Sequence, residues 1–429
     1  MPNRLVIADG VRTPFCRMGT SLEGRTADDL GRIAVDALLT RTGFDPGLVD
    51  EVIFGCVAQP ADAANLARVI ALRAGLPPGT PAVTVQRNCA SGLEALTQAE
   101  EKAAAGRGEI FIVGGTESMT RIPLFYSETA ARRFRKLARA KSWAARLEAA
   151  LHFRLRDFRP RVGLELGLTD PVSGYTMGET AEVLAREWRI TREDQDAFAL
   201  ESHRRAVAAR ETLREEICPV YAATRLSQGP VVDDNGPRDD ASPEGLAGLK
   251  PAFDRQCGSV TPGNASQITD GAAALLVMTE KRAEQLGIEP LGFLAGAAYA
   301  GCDPKRMGLG PLHALARLRQ RTGREPADAD LVEINEAFAA QVLAVLKAMD
   351  SKSFARDNLG EDRPLGAPSR EIINVNGGAI ALGHPVGASG TRLVLTALRE
   401  LRRRKARNAL VTLCIGGGQG AAAWLEGNG

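Results

Sequence analysis

The sequence predicts an α/β fold made of two related halves, with a loop domain inserted into the first half. Residues 1–120 and 291–429 alternate short apolar runs of strand length with helical patterns, which is typical of layered α/β proteins. The intervening stretch is polar and irregular over residues 121–249, and residues 250–290 return to the first half. We therefore expect the chain to divide into these four segments.

The first half contains a strand, a turn and a helix in direct succession. A predicted strand, Ala82–Val85, leads to Cys89 and then to a helix that ends near Gly106. A second strand, Ile110–Val113, follows and is closed by two glycines. This order places Cys89 at a strand-to-helix junction.

The second half repeats this order of parts. A predicted strand, Ile372–Val375, leads to Gly387–Gly390, which opens a helix that ends in the basic turn Arg402–Lys405. The strand Ala409–Leu413 and two glycines follow. Because an Ala-Ser-Gly tripeptide opens both helices and the whole order recurs, we interpret the two units as a duplication rather than a chance similarity. Two such halves would pack about a pseudo-twofold axis and aim helix N-termini at one site.

Composition indicates a soluble protein of a reducing compartment. Hydrophobic residues make up 44% and charged residues 25%, and a net charge of +2 gives no argument for nucleic acid. The seven cysteines form no CxxC pair, which argues against a disulfide framework and a zinc site. The start Met1–Arg4 runs directly into a strand-like segment, with no signal pattern, and no apolar run reaches the roughly 18 residues of a membrane span. We expect a cytoplasmic location and no metal.

Cys89 and His384 are the strongest chemical candidates. A thiol at a helix N-terminus experiences the positive end of the peptide dipoles, which lowers its pKa and favours the thiolate. His384 lies at the equivalent junction of the second half, where a neutral imidazole could take the thiol proton. The alternatives are a small buried cysteine and a histidine packed in a glycine-rich turn. The remaining histidines, His152, His203 and His313, are expected at the surface.

Two further residues follow predicted strands. Cys414 ends the last-but-one strand, where a second cysteine could donate and accept protons, and the glycines that follow it free backbone N–H groups for an oxyanion. Gly416–Gly420 is not the GxGxxG pattern of a dinucleotide site. Asn335 follows the strand Asp330–Ile334, and it is expected either to cap the next helix or to hold a water that polarises a thioester carbonyl.

Four motifs together resemble the thiolases, in order and over nearly the whole chain. The motifs are Asn88–Gly92, Asn335–Phe338, Gly383–Pro385 and Cys414–Gly418. The resemblance implies a five-layered α-β-α-β-α fold that transfers acyl groups between coenzyme A (CoA) thioesters, with CoA as a substrate and no cofactor.

The same resemblance assigns the catalytic roles. Cys89 would carry the acyl group, and His384 would activate it and help bind the thioester oxygen. Cys414 would shuttle the proton of the second substrate, Asn335 would hold an oxyanion-hole water, and the N–H groups of Cys89 and Gly416 would form a second hole.

The resemblance also places CoA. Ser266 matches a serine that contacts the pantetheine, and Arg238 matches a basic residue near the adenine. Met177, Phe253 and Phe338 would line the pantetheine tunnel. For Ser266 and Arg238, a loop turn and a solvated charge are the alternatives. The resemblance to the family also implies that the chain assembles into a homodimer or homotetramer.

The sequence departs from the family pattern in two places. Many short-chain biosynthetic thiolases have histidine where this chain has Thr176, so acetoacetyl-CoA is not fixed as the substrate. Residues 121–161 hold twelve Lys or Arg against three acids, with interleaved aromatics, and resemble the longer loop of the thiolase subunit of the trifunctional β-oxidation complex. That group carries histidine at the position of Asn335.

The basic segment 121–161 has three interpretations. It could bind an anionic membrane surface, dock a β-oxidation partner subunit, or form a solvated helical hairpin near the CoA entrance. Nucleic acid is not expected, because the aromatics are few and no binding motif is present.

Three functions compete. The first is thiolase chemistry, in either the cleaving or the condensing direction, within fatty acid metabolism. A related condensing ketoacyl synthase would need a second histidine in place of Asn335. A non-catalytic acyl-CoA-binding or scaffolding subunit would not need to retain Cys89, His384 and Cys414 together.

Overall fold

The computed structural model describes residues 4–221 and 229–428, so Met1–Asn3 of the predicted start and residues 222–228 of the predicted loop domain lie outside it. None of the helices in the described part of the chain is long and apolar enough to cross a membrane. The strands are β1 (Leu5–Arg12), β2 (Cys16–Arg17), β3 (Glu51–Gly55), β4 (Ala82–Val85), β5 (Ile110–Ser118), β6 (Leu124–Phe125), β7 (Arg161–Val162), β8 (Val220–Tyr221), β9 (Pro230–Val231), β10 (Thr269–Thr279), β11 (Gly292–Gly301), β12 (Leu331–Ile334), β13 (Asn408–Ile415) and β14 (Gln419–Gly427). The helices are α1 (Ala27–Thr42), α2 (Leu66–Arg73), α3 (Ser91–Ala104), α4 (Glu128–Arg139), α5 (Trp143–Leu151), α6 (Gly163–Gly167), α7 (Met177–Glu187), α8 (Arg192–Ala208), α9 (Arg210–Arg214), α10 (Pro243–Ala247), α11 (Glu280–Leu286), α12 (Gly310–Thr322), α13 (Ala339–Met349), α14 (Lys352–Phe354), α15 (Ala379–Leu382) and α16 (Ser389–Arg404).

The same order of strand pairings occurs in both halves. In the first half β4 pairs with β3 and β3 with β5, both parallel, and then β5 pairs with β10 and β10 with β1, both antiparallel. In the second half β12 pairs parallel with β13, followed by the antiparallel pairs β13 with β14 and β14 with β11. Strands β1 and β11 pair and join the two halves. This repetition of pairings agrees with the duplication inferred from the sequence.

Helices and sheets alternate in five layers. Because side chains alternate across a strand, Val52 and Phe54 of β3 pack on one face with α1 and α2, whereas Ile53 packs on the other face with α3 and α16. In the second half Val411 of β13 faces the same central helices, and Leu410 faces α12 and α13. The predicted α/β class is confirmed, and α3 and α16 lie side by side between the two halves.

One predicted strand is not formed. Of the segment Ile372–Val375, only Ile373 makes an isolated parallel bridge, to Val332. Asn374 adopts a left-handed backbone with φ of 45°, and its side chain exchanges hydrogen bonds of 2.8 and 2.9 Å with the backbone of Ile334. The asparagine side chain therefore takes the place of a strand partner, and the β-branched run was misleading.

The prediction that residues 121–249 are irregular is also wrong, because α4 to α10 lie within this region. Helix α7 begins with a capping box in which the Thr176 hydroxyl accepts the N–H of Glu179 and the Glu179 carboxylate accepts the N–H of Thr176. Helix α8 begins in the same way at Thr191 with Asp194. Thr176, where part of the family has histidine, therefore has a structural role at a helix start.

Candidate active site

Cys89 lies in a tight turn between β4 and α3, as predicted. Asn88 adopts a left-handed backbone with φ of 45°, and its side-chain N–H₂ donates to the carbonyl of Gly416 at 2.7 Å. The Ser91 hydroxyl donates to the Asn88 carbonyl at 2.7 Å and accepts the N–H of Arg87 at 2.9 Å. The side chains of Asn88 and Ser91 thus fix the turn by bonding backbone groups, and the Cys89 side chain between them is partly buried.

Burial determines the ionisation of Cys89. Burial raises the pKa of the thiol and outweighs the backbone N–H groups of Gly416 and Cys89, which lower that pKa, while the nearby Glu117 carboxylate raises it further. The expectation of a thiolate favoured by the helix N-terminus is therefore wrong. Cys89 rests as a neutral thiol with two N–H donors aimed at its sulfur, and it needs a base to become a nucleophile.

His384 is a buried, neutral imidazole. Burial, assisted by the positive charge of Arg392, lowers the pKa of His384 to about 4. Its Nδ1 lies 2.5 Å from the Ser389 hydroxyl, and its Nε2 lies 3.4 Å from the side-chain nitrogen of Asn335. A neutral ring with one nitrogen committed to a serine is suited to act as a base through the other nitrogen.

The turn that follows His384 packs against the start of α3. A Cβ placed on Gly92 would lie 2.5 Å from the Thr391 hydroxyl and 2.9 Å from the Gly387 carbonyl, and one on Gly390 would lie 2.5 Å from the Leu93 nitrogen. Only glycine permits this close approach of the two central helices. The structure thus brings the segment of His384 against the segment of Cys89, as the duplication predicted.

Glu117 also holds the turn that follows His384 against the first half of the molecule. The sequence alone did not mark it as a functional candidate. Its buried carboxylate accepts the N–H groups of Val57 (3.1 Å), Ala58 (2.9 Å) and Gly387 (2.9 Å), and the thiol of Cys56 donates to it at 3.6 Å. The first two donors belong to the first half and the third to the second half. Its bond to the second half depends on tertiary structure, which local sequence patterns do not show.

Cys414 lies at the end of β13, as predicted, and is buried. Burial and the proximity of Cys89 raise the pKa of Cys414 well above its ordinary value. The backbone N–H of Gly416, two residues further on, points at the Cys89 sulfur. The structure therefore brings Cys89, Cys414 and Gly416 into one site.

Asn335 is not a helix cap. Helix α13 begins at Ala339 with Phe338 as its N-cap, and Asn335 is held by its backbone N–H, which donates to the Thr412 carbonyl at 3.0 Å. The amide is fully buried, its nitrogen faces His384, and its Oδ1 has no partner among the described residues. Of the two expectations for Asn335, only the functional one is compatible with this geometry.

The predicted tunnel residues lie next to this site. The sulfur of Met177 would lie 3.2 Å from a Cβ on Gly416, and a Cβ on Gly178 would lie 2.3 Å from the ring of Phe253. The rings of Phe253 and Phe338 meet edge to face with centroids 6.1 Å apart. Met177 and Phe338 share a buried apolar cluster with Cys414, and their role in a pantetheine tunnel, with Phe253, stays a prediction.

The two predicted polar CoA contacts, Ser266 and Arg238, lie in different environments. Ser266 is half-buried beside Phe338, where its N–H donates to the backbone before that ring. Arg238 is exposed, and its backbone N–H donates to Nδ1 of His203 at 3.3 Å. His203 itself is buried, with a pKa lowered to about 4 by burial, so its predicted surface position is wrong. Helix α8 therefore packs the face that carries His203 against the segment of Arg238.

Sequence models of two domains match the chain. The thiolase N-terminal domain matches residues 5–281 and the thiolase C-terminal domain matches residues 288–427. The chain is 40% identical over 427 residues to the 3-ketoacyl-CoA thiolases of Serratia proteamaculans (strain 568) and Yersinia pestis (strain Pestoides F), with 99% of this chain and 97% of each relative covered.

Solved structures agree with these matches. The acetyl-CoA acetyltransferase of Bacillus anthracis superposes with a TM-score of 0.87 at 37% identity, over 99% of both chains. The human mitochondrial 3-ketoacyl-CoA thiolase superposes with a TM-score of 0.86 at 34% identity, over 100% of this chain and 99% of that one. Its complex with CoA superposes with a TM-score of 0.85 at 34% identity, over 100% of this chain and 98% of that one. The chain belongs to the thiolase family.

Proposed function

We propose that this chain cleaves 3-ketoacyl-CoA with CoA into acyl-CoA and acetyl-CoA, or runs the reverse condensation, through an acyl-enzyme on Cys89. The observation that carries the proposal is a partly buried neutral thiol next to a second buried thiol, with the turn of a buried neutral imidazole packed against the start of the helix that follows the first thiol. A thioester has an acidic α-proton and a good leaving group, so cysteine can both accept and release the acyl group.

In the first half-reaction, His384 Nε2 takes the proton of Cys89, and the thiolate attacks the 3-keto carbon of the substrate. The N–H groups of Cys89 and Gly416 stabilise the oxyanion that forms at carbon 3, and Asn335, through a water, and protonated His384 stabilise the thioester oxygen as the enolate of acetyl-CoA forms. The bond between carbons 2 and 3 then breaks, and the enolate of acetyl-CoA takes its proton from Cys414. This leaves the acyl group on Cys89 and a thiolate on Cys414.

In the second half-reaction, the Cys414 thiolate takes the proton of the incoming CoA thiol, whose sulfur attacks the acyl carbon. The N–H groups of Cys89 and Gly416 stabilise this second oxyanion. When the tetrahedral intermediate collapses, acyl-CoA leaves and Cys89 recovers its proton from His384. Cys89 recovers its proton from His384, and Cys414 takes the proton of the CoA thiol in place of the one that left on acetyl-CoA, so the cycle needs no other reactant.

The substitution Cys89→Ala tests this proposal by the CoA-dependent cleavage of acetoacetyl-CoA. We expect no turnover above the uncatalysed reaction, because no other group can carry the acyl intermediate. The matched control is Cys257→Ala, an exposed cysteine in a loop, which should retain wild-type turnover. Unchanged turnover in Cys89→Ala would end the acyl-enzyme proposal.

The non-catalytic alternative is not supported by this site. A scaffolding subunit would have no use for two thiols and an imidazole held in one site, and a buried imidazole is costly to desolvate. A ketoacyl synthase is disfavoured because Asn335 stands where that chemistry needs a second histidine.

We place the activity in fatty acid β-oxidation because the full-length relatives are named 3-ketoacyl-CoA thiolases. A series of 3-ketoacyl-CoA substrates from four carbons upward, measured as kcat/KM, tests this placement. Values that rise with chain length support degradation of longer chains. A sharp preference for four carbons would instead support short-chain condensation.

We also propose a cytoplasmic homodimer or homotetramer. Strand β4 is the edge of the sheet, and most of its residues are only half-buried, which leaves backbone groups available to a second copy. Light scattering coupled to size exclusion should give two or four times the 45.6 kDa chain mass. A monomeric mass at micromolar concentration would contradict this proposal.

We further propose that the hairpin of residues 121–161 docks on an anionic membrane surface. Its interior is an aromatic cluster centred on Phe134, whose ring centroid lies 4.8 Å from that of Phe153. Its exterior carries an apolar stripe along α5, with Trp143 80% and Leu151 77% exposed. On α4, three exposed arginines have no ion-pair partner among the described residues: Arg132, Arg135 and Arg139.

An apolar stripe beside unpaired arginines is suited to a lipid headgroup region. The test is co-sedimentation with vesicles of phosphatidylglycerol and phosphatidylcholine, with Trp143→Ser as the weakened variant and Leu72→Ser, an exposed site outside the hairpin, as the control. Sedimentation that depends on Trp143 supports the proposal. The absence of sedimentation would contradict it and favour the partner-subunit or solvated-hairpin interpretation.

A further inference from the structure

Ser389 makes an unusual pair of contacts for the first residue of a helix. Its side chain is fully buried at the start of α16. The hydroxyl oxygen lies 2.5 Å from Nδ1 of His384 and 3.1 Å from the carbonyl oxygen of Pro385. A hydroxyl has a single proton, so it can donate to only one of these two atoms.

We propose that Ser389 is a positioning residue that holds His384 in the tautomer with its proton on Nδ1; this inference rests on the proposed function. The serine donates its proton to the Pro385 carbonyl and accepts Nδ1–H from the ring. Nε2 is then the bare nitrogen, and it faces the N–H₂ group of Asn335 at 3.4 Å. Only this tautomer presents a lone pair that can take the Cys89 proton.

The opposite assignment is chemically distinct. If the serine donated to Nδ1, the ring proton would sit on Nε2, and His384 could not act as a base toward Cys89. The Pro385 carbonyl already accepts the N–H groups of Ala388 (2.8 Å) and Ser389 (3.0 Å), so distances alone do not choose between the two assignments. We choose the first assignment because only an unprotonated Nε2 can take the proton of Cys89. The position of the ring proton can be measured directly.

The first half of the molecule provides a matched control. Ser91 is the first residue of α3, as Ser389 is of α16, and it is also fully buried. Its hydroxyl contacts only backbone, with the Arg87 N–H as donor and the Asn88 carbonyl as acceptor. Removing this hydroxyl therefore removes a turn contact without touching an imidazole.

The primary measurement is solid-state NMR of the full-length enzyme labelled with ¹³C,¹⁵N-histidine. With four histidines in the chain, the signals can be assigned with a His384→Asn variant. We expect the wild-type ring of His384 to be neutral and protonated at Nδ1, and Ser389→Ala to shift protonation toward Nε2. Ser91→Ala should leave the tautomer unchanged. A wild-type ring protonated at Nε2 would overturn the inference without any variant.

Kinetics provide the second readout. We expect Ser389→Ala to lower kcat about 10- to 100-fold with little change in KM, less than the 10²–10⁴-fold range of a general base itself. Ser389→Cys, a weaker acceptor of similar size, should recover part of this loss. Full kcat in a Ser389→Ala enzyme that keeps the Nδ1–H tautomer would overturn the inference. If Cys89→Ala is inactive in that case, the proposed function stands and only the role of Ser389 fails.

Discussion

Residues 86–90 join β4 to α3 in the first half of the molecule, whereas residues 374–388 lie between the bridge at Ile373 and α16 in the second. The short junction is held by the left-handed Asn88 and by the side chains of Asn88 and Ser91, whose amide and hydroxyl bond backbone groups. The long junction contains α15 and is held by side chains, with Ser389 on the imidazole and Glu117 on the N–H of Gly387.

This difference follows from what each junction carries. A nucleophile that must accept an acyl group needs backbone N–H donors around its sulfur, and a tight turn provides them. A base needs one ring nitrogen held and the other free, and side chains provide that control. One duplicated unit has thus been adapted to two tasks, and both groups remain neutral at rest because both are buried.

The largest expected effect comes from removing the base of the second junction. We expect His384→Asn to lower kcat about 10²- to 10⁴-fold, because Cys89 then has no acceptor for its proton. The measurement is steady-state cleavage of acetoacetyl-CoA, with His152→Asn, an exposed histidine, as the matched control. A His384→Asn enzyme as active as the control would contradict the claim that the second junction carries the base.

The second effect concerns the buried amide that faces the base. We expect Asn335→Ala to lower kcat about 10²- to 10³-fold, as loss of one oxyanion-hole donor does. The acyl-enzyme should form more slowly on Cys89, because Asn335 acts in that half-reaction, whereas its transfer to CoA should keep the wild-type rate, because the hole built from the N–H groups of Cys89 and Gly416 is untouched. A loss of binding alone, seen as a raised KM with normal kcat, would show that Asn335 serves the substrate and not the oxyanion.

The contact between the two junctions is tested at Gly92. We expect Gly92→Ala to destabilise the fold by about 1–3 kcal/mol, because its Cβ would lie 2.8 Å from the backbone nitrogen of Thr391. Gly79→Ala is the control, since a Cβ there meets nothing within 4 Å. Denaturant unfolding measures both variants, and equal stability would mean that the central helices are not tightly apposed.

The smallest effect is a displaced pH dependence. Because the pKa of His384 is lowered from 6.5 to about 4, the base stays neutral and active well below pH 6.5. We expect the acid limb of kcat/KM to lie near pH 4. The unfolded chain binds this proton more readily, so the folded state loses stability as the pH falls from 6.5 toward 4. An acid limb near pH 6.5 would show that His384 is more hydrated than its burial indicates.

The sequence predicted the α/β class, the strand-to-helix junction at Cys89 and the convergence of the segments of Cys89 and His384, because these depend on local patterns and on order along the chain. The prediction failed where a side chain makes hydrogen bonds that a strand would make through its backbone. At the predicted strand Ile372–Val375, the Asn374 side chain bonds the backbone of Ile334 in this way. One of the two expectations for Asn335, that it caps the next helix, also failed, because that helix begins four residues later.

Electrostatic details were not predictable from the sequence. The thiol of Cys89 was expected to ionise at a helix N-terminus, but the depth of burial, which raises its pKa, is set by both halves together. His203 has a polar sequence environment and is nevertheless buried. Glu117 and Ser389 gain their contacts with the His384 turn only through tertiary packing, so motif spacing could not assign them a role.

The most direct test of the account is to locate the acyl group itself. Enzyme is mixed with acetoacetyl-CoA in the absence of free CoA, quenched in acid and digested, and the peptides are mapped by mass spectrometry. The account predicts an acetyl group on Cys89, formed much more slowly in His384→Asn. An acetyl group on Cys414, or acylation of Cys89 at the same rate without His384, would contradict it.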